Sequence, residues 1–150
     1  MFVIKNIADD ATIYSISEMA ASSFKDENQS LKLATLLEYE AIKRSLEYEK
    51  SVLKGALIQD KCIGFIWAKY TVHDREVKIY NLLVDKSQRN KGIATTLKRE
   101  IEKWAKDMGA YTIVSTVHAH NKTMIQINES MDYEVEKVIL IRREEFYGHI

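Results

Sequence analysis

Two cations, one glycine and one small residue fall within the six positions Arg89-Asn90-Lys91-Gly92-Ile93-Ala94. Residue types in that order suit one task, the holding of an anion. Gly92 can adopt φ > 0 and close a nest of backbone amides, Ala94 leaves room for a bulky group against the main chain, and Arg89 and Lys91 supply charge. The segment joins an apolar run, residues 77–84, to a helical pattern that begins at Gly92. A strand that passes through such a loop into a helix N-terminus aims several unpaired N–H groups and the positive end of the helix dipole at one point. With its single glycine the loop is neither G-x-x-x-x-G-K-[ST] nor G-x-G-x-x-G, the two commoner phosphate-binding patterns.

Other side chains could do chemistry. His118 and His120 end a β-rich run, residues 111–117. On a strand their rings would share one face, and either could accept a proton or serve the structure. No third ligand at useful spacing and no C-x-x-C accompanies them, so no metal is expected. Tyr133 is a phenol that could donate a proton or fill core space. Cys62 stands between apolar neighbours, which fits a core thiol better than an acyl-accepting nucleophile.

The hydrophobic pattern indicates what must position these residues. Residues 2–6 read as a strand. Asp9 or Asp10 then caps a helix with Ile13, Ile16, Ala20 and Phe24 at helical spacing. After a polar break at residues 25–29, Ser30 caps a second helix with Ala34, Leu37, Ala41, Ser45 and Tyr48 on one face. Runs 52–59 and 62–72 flank Asp60-Lys61 as a hairpin turn, and His73-Asp74-Arg75-Glu76 turns into the run 77–84. Three strands joined in this way form an antiparallel meander.

The helix at 92–108 has a buried stripe of Ile93, Leu97, Ile101, Trp104 and Ala105. Lys98, Arg99, Glu102, Lys103 and Lys106 form its wet face, and Gly109 is its C-cap. Residues 111–117 are expected to run parallel to 77–84 through a right-handed crossover. Asn121 opens a further helix through about Met131, with Met124 and Ile127 inward. Residues 133–143 read as a last strand, which leaves 144–150 for a seventh that is short, absent or supplied by a partner.

The whole reads as one α/β (α+β) domain over 150 residues, long enough to bury a core. Twenty-two acidic and 22 basic residues cancel, which argues against bulk nucleic-acid binding. A lone cysteine, a start without an apolar leader and the lack of any membrane-spanning run favour the cytoplasm.

Taken with this element order, Arg89-Asn90-Lys91-Gly92-Ile93-Ala94 resembles the R/Q-x-x-G-x-G/A signature of the GNAT superfamily, the GCN5-related N-acetyltransferases. That signature holds the pyrophosphate of acetyl-CoA. The likeness is carried by residues 63–141 and, before them, by pattern alone. It implies a GNAT fold with a mixed central sheet of about six strands in the order β-α-α-β-β-β-α-β-α-β. A splay between the fourth and fifth strands would take the pantetheine arm. The backbone of Leu82, Leu83 and Val84 would pair with that arm, and the Leu83 amide would donate to the developing oxyanion. Arg89, Asn90, Lys91, Gly92, Ile93, Ala94 and Thr95 would hold the pyrophosphate, and Asn121 would contact the arm.

The resemblance also shows where the chemistry is thin. Asn128, counted with the cofactor-binding candidates, stands seven residues after Asn121, where many members have a tyrosine that protonates the leaving thiolate. Tyr133 could substitute for it. Lys78 stands where the histone-acetylating branch has a glutamate base, which leaves His118 and His120 as candidate proton acceptors. The stretches around Asn81 and His118-Ala119-His120-Asn121 look most like the branch that acetylates ribosomal-protein N-termini, from which Thr116 departs in place of an acid.

The expectation is an acetyl-CoA-dependent N-acetyltransferase, a monomer or homodimer, transferring directly to a primary amine of a small molecule, a polyamine or a protein N-terminus. A CoA-binding regulatory module with little turnover is the alternative. A nucleic-acid-binding domain using Lys98, Arg99, Lys103 and Lys106 is disfavoured by the acids elsewhere. Residues 9–50 hold more acids than bases, whereas the loop and helix at 86–107 hold more bases. Such polarity would favour cationic amines as acceptors.

Overall fold

Local chemistry sets where the elements begin. In the computed structural model, which describes residues 1–24 and 28–140, the order is β1 (Val3–Asn6), α1 (Asp10–Phe24), α2 (Leu31–Tyr48), β2 (Ser51–Ile58), β3 (Lys61–Thr71), β4 (Glu76–Val84), α3 (Ile93–Met108), β5 (Thr112–Ser115) and α4 (Lys122–Ser130). Asp9 caps α1, its carboxylate accepting from the Thr12 amide at 2.9 Å and the Thr12 hydroxyl at 2.7 Å. Those bonds, the hydroxyl's above all, hold its pKa below the ordinary value. Ser30 Oγ accepts from the Leu33 amide at 3.1 Å and starts α2. α3 has no side-chain cap. Gly92 precedes it in the left-handed region, φ 77°, and Gly109 ends it at φ 85°.

Two compact units divide the chain, one from Met1 to Thr116 and one from Val117 onward. The first holds a five-stranded sheet in the order β1-β2-β3-β4-β5. The first four strands pair antiparallel, and β5 lies parallel to β4. Alternation along β3, offset once by a bulge at Ile63, distributes its side chains to two cores. Ile63, Ile66, Ala68 and Tyr70 pack with Ile93, Leu97, Ile101 and Ala105 of α3. Cys62, Phe65 and Trp67 pack with Ile13, Ile16 and Ala20 of α1 and Ile42 of α2. The result is three layers, with helices on both faces of a mixed sheet. Each fully buried Ile, Leu or Phe contributes about 1.5–3 kcal/mol to holding them together. Cys62 is a core thiol, as its neighbours suggested, and burial raises its pKa.

Four expectations are corrected. The hairpin turn between β2 and β3 is Gln59-Asp60, not Asp60-Lys61: Ile58 pairs with Lys61, and both turn residues have positive φ (50° and 68°) as a type I′ turn requires. The face of α2 is rotated. Its buried residues are Ala34, Thr35, Ile42 and Ser45, while Leu37 and Tyr48 are exposed. At about 100° per residue the buried centre lies some 70° from the centre of the expected face.

Lys98 is buried, not on the wet face of α3. It projects only about 20° beyond Ala105, at the flank of the apolar stripe. Burial lowers its pKa to about 8, against the opposing pull of Glu102. Finally, residues 133–140 form no strand, so the sheet has five strands among the described residues rather than six. Residues 25–27 of the polar break, the side chain of Phe24 and residues 141–150, with the end of that strand and the possible seventh, lie outside the described residues.

The second unit holds α4. Asn121 caps it, its side-chain oxygen accepting from the Met124 amide at 3.1 Å.

Candidate active site

β4 changes character halfway along. Its register with β3 runs from Glu76↔Thr71 to Ile79↔Ala68, then shifts so that Asn81 faces Trp67. Tyr80 is the extra residue, a β-bulge. The bulge reverses the alternation: Val77 and Ile79 face α3 before it, Leu82 and Val84 after it. Pairing with β5 stops at the same place, the last registered pair being Ile79↔Ser115. From Tyr80 to Val84 the outer edge of β4 therefore has no registered strand partner among the described residues. Backbone N–H and C=O groups along such an edge remain available to an extended ligand.

The edge leads into the loop. The Asp85 amide bonds to the Ile63 carbonyl at 2.9 Å, and a single 3₁₀ turn, Lys86–Gln88, follows. Arg89 folds back, its Nε donating to the Val84 carbonyl at 3.1 Å, which ties the loop to the end of β4. Asn90 (φ 65°) and Gly92 (φ 77°) are both left-handed on either side of Lys91. This is the alternation that curls successive amides into an anion-binding nest.

The first internal bond of α3 runs from the Thr96 amide to the Gly92 carbonyl, so the amides of Ile93, Ala94 and Thr95 precede the helical ladder. A Cβ at residue 92 would meet nothing within 4 Å. The loop thus presents open space before a helix N-terminus that lacks a side-chain cap, with Arg89 and Lys91 exposed beside it. A pyrophosphate fits that cradle in charge and hydrogen bonding. Gly64 lets the parts approach, since a Cβ there would lie 3.2 Å from the Leu83 carbonyl and 3.4 Å from Ile93.

On the face that carries α1 and α2, a cleft of about 570 Å³ opens between α2, β3 and β4, lined by Arg44, Ser45, Tyr48, Glu49, Trp67 and Tyr80. Trp67 and Tyr80 form its aromatic floor, ring centroids 4.7 Å apart and tilted by 44°. The indole N–H donates to Ser45 Oγ at 3.1 Å, fixing the ring. Lys69 donates to Glu49 at 2.6 Å, and the contact lowers the carboxylate's pKa while raising the ammonium's. Lys78 lies with its Nζ 5.8 Å from the Tyr80 ring centroid. None of this cleft was recognised as a site from sequence. An available signal was the presence of an aromatic residue, Trp67 and Tyr80, near the middle of each of two strands expected to be neighbours.

The structure brings Leu82, Leu83, Val84, Arg89, Asn90, Lys91, Gly92, Ile93, Ala94 and Thr95 together in the first unit. The other candidates belong to the second. His118 and His120 are exposed and lie beyond β5, which ends at Ser115. The shared-face argument therefore does not apply to them: their carbonyls accept turn bonds from the Asn121 and Lys122 amides. Asn121 is engaged as the α4 cap. Asn128 presents a buried side-chain oxygen with no hydrogen-bond partner among the described residues, and its carbonyl accepts from the Tyr133 amide at 2.9 Å. Tyr133 is half-buried. Among the described residues no three His, Cys, Asp or Glu side chains gather as a metal site would need. None of the helices described is long and apolar enough to cross a membrane.

Comparison with known proteins shows the family and the fold. The model of the acetyltransferase (GNAT) family matches residues 13–133. A structure from Staphylococcus aureus, assigned as a GNAT family acetyltransferase, is 30% identical over 75% of this chain and 98% of its own, with a TM-score of 0.65. A structure from Pyrococcus furiosus, assigned as an acetyl transferase, is 23% identical over 96% of this chain and 100% of its own, TM-score 0.76. The aminoglycoside N-acetyltransferase AAC(6')-Iy, solved with CoA, is 16% identical over 96% of this chain and 95% of its own, TM-score 0.73. Among curated proteins no match is found. The family match covers most of the chain, including β4, the loop and α3, and the chain belongs to the GNAT family of N-acetyltransferases.

Proposed function

We propose that residues 1–150 act as one acetyl-CoA-dependent N-acetyltransferase domain of the cytoplasm, moving an acetyl group to a primary amine by direct transfer. One observation carries the reading: the edge of β4 is released from β5 at its bulge and leads straight into an uncapped helix N-terminus through a left-handed loop. The amides of Ile93, Ala94 and Thr95, with Arg89 and Lys91, would hold the pyrophosphate, and the backbone of Leu82, Leu83 and Val84 would hold the pantetheine arm. Bound acetyl-CoA supplies an activated thioester. Asn121 remains the candidate further contact to the arm.

In the transfer, the acceptor nitrogen's lone pair forms a C–N bond to the acetyl carbon while the C–S bond breaks and its electron pair leaves with sulfur. The Leu83 amide is the candidate donor that the family resemblance suggests for the carbonyl oxygen as charge develops there. The proton lost by nitrogen must reach the thiolate or solvent. A thiol of pKa ~8.5 is a tolerable leaving group, so the asparagine at 128 slows this step without forbidding it. With Lys78 in place of a carboxylate base, the acceptor must arrive neutral. A lysine-type amine of pKa ~10.4 is neutral in only about one part in 10³ at pH 7, a handicap of roughly 4–5 kcal/mol, whereas an α-amine near ~7.7–8.0 has little. His118, His120 and Tyr133 remain the candidates for proton transfer, directly or through water.

Calorimetry with acetyl-CoA followed by thiol release over an amine panel tests the reading. Binding with turnover is expected. Binding with no turnover on any amine would select a CoA-binding module, and no binding would refute the cofactor site.

A further inference from the structure

The cleft between α2, β3 and β4 lies where β4 becomes available to a cofactor. Tyr80 is both its floor and the bulge at which pairing with β5 ends. Its volume, about 570 Å³, is within the range of roughly 300–1,000 Å³ usual for small-molecule sites. Its chemistry is specific. The floor is a braced aromatic pair, with the indole fixed by Ser45 and Tyr48 standing exposed at the side. Flat apolar groups stack on such a surface.

Charge narrows the choice further. Of the acids counted along residues 9–50, the cleft's lining contains only Glu49, which is neutralised by Lys69 at 2.6 Å. Asp9 is a helix cap and Asp10 is paired with Lys43 at 2.6 Å. Arg44, in contrast, lines the cleft and makes no ion pair among the described residues, and Lys78 adds a second cation beside Tyr80. The cleft is aromatic, and Arg44 is the charge in its lining left without an ion pair among the described residues. It suits an amine that carries an anion better than it suits a polyamine.

Resting on the acetyl-transfer reading above, we propose that this cleft is the acceptor site and that the acceptor is a small primary amine bearing an aromatic ring and a carboxylate. The ring stacks on Trp67 and Tyr80, the carboxylate pairs with the Arg44 guanidinium, and the amine is left toward the free edge of β4. Its nitrogen forms the new C–N bond as the thioester C–S bond breaks, the electron pair leaving on sulfur and the nitrogen's proton passing to thiolate or solvent. Arg44 supplies the planar fork that binds carboxylates bidentately.

The test measures thiol release by the full chain at saturating acetyl-CoA, with calorimetry of acetyl-CoA alongside. With each rate referred to the fraction of neutral amine at the assay pH, L-phenylalanine is compared with its amide, which lacks the carboxylate, with leucine, which lacks the ring, and with spermidine. Phenylalanine should give the highest kcat/KM, by about tenfold or more over each of the others. Arg44→Ala should bring the acid-to-amide ratio toward one. Tyr80→Leu should bring the phenylalanine-to-leucine ratio toward one, while Tyr80→Phe retains it, circular dichroism confirming that each variant folds. If acetyl-CoA binds but spermidine is preferred, if both ratios ignore the substitutions, or if no amine is turned over, the acceptor assignment is overturned. Failure of acetyl-CoA to bind at all refutes the transfer reading itself, and the acceptor assignment with it.

Discussion

Arg89 is held at the end of β4 by its own Nε, which leaves the rest of the guanidinium to meet an anion at the mouth of α3. Arg89→Ala should weaken acetyl-CoA by the ~1.5–3 kcal/mol of a charge-assisted hydrogen bond, read as a ten- to hundredfold rise in calorimetric Kd. An unchanged Kd would place the pyrophosphate elsewhere. Asn128 is the second informative position, because its side-chain oxygen is buried without a partner among the described residues. Asn128→Tyr restores the phenol that many family members carry there and should raise turnover, if it alters it. A clear loss of rate with intact acetyl-CoA binding would show instead that the asparagine makes a specific contact. At this scale the sequence was most informative about the loop, where glycine and cations have a direct chemical reading. It was least informative about the cleft, whose floor depends on which strand residues share a face.

Among the elements, the caps Asp9, Ser30 and Asn121 could be read because a cap is a local bond. The Tyr80 bulge could not. It is a property of two paired strands, and it shifts the face of every later residue by one. The α2 face was misjudged because Thr35 and Ile42 are buried while Leu37 and Tyr48 face solvent, Ala34 and Ser45 being shared by the expected and observed faces.

Lys98 misled for a similar reason, being charged yet buried on the flank of α3, and it has a measurable consequence. Its folded-state pKa is about 8 against an ordinary 10.5. Between those values the unfolded chain holds the proton and the folded chain releases it, so this group's contribution to stability rises with pH across that window. Below about 8 the cost of burying its charge is present in full. At 1.36 kcal/mol per unit, urea denaturation should show a gain of about 2 kcal/mol from pH 8 to 10 that is missing in Lys98→Gln. Identical slopes for the two proteins would contradict the burial of this charge.

For the molecule as a whole, the balance of 22 acids against 22 bases conceals an uneven arrangement. Cations cluster at the loop, and among the described residues Arg44 stands unpaired in the cleft's lining, while Asp9, Asp10 and Glu49 are engaged in a cap and two ion pairs. The central claim is that the amides after Gly92 receive the cofactor's phosphates. Acetyl-CoA titrated calorimetrically into the wild-type protein and Gly92→Val tests it most directly. A β-branched residue at φ 77° is strained, and its side chain would occupy the open cradle. One acetyl-CoA per wild-type chain is expected, with affinity at least about a hundredfold lower in a folded Gly92→Val protein, since more than one bond of ~1.5–3 kcal/mol would be lost. Equal affinity in the two proteins, or no binding to the wild type, would contradict the account.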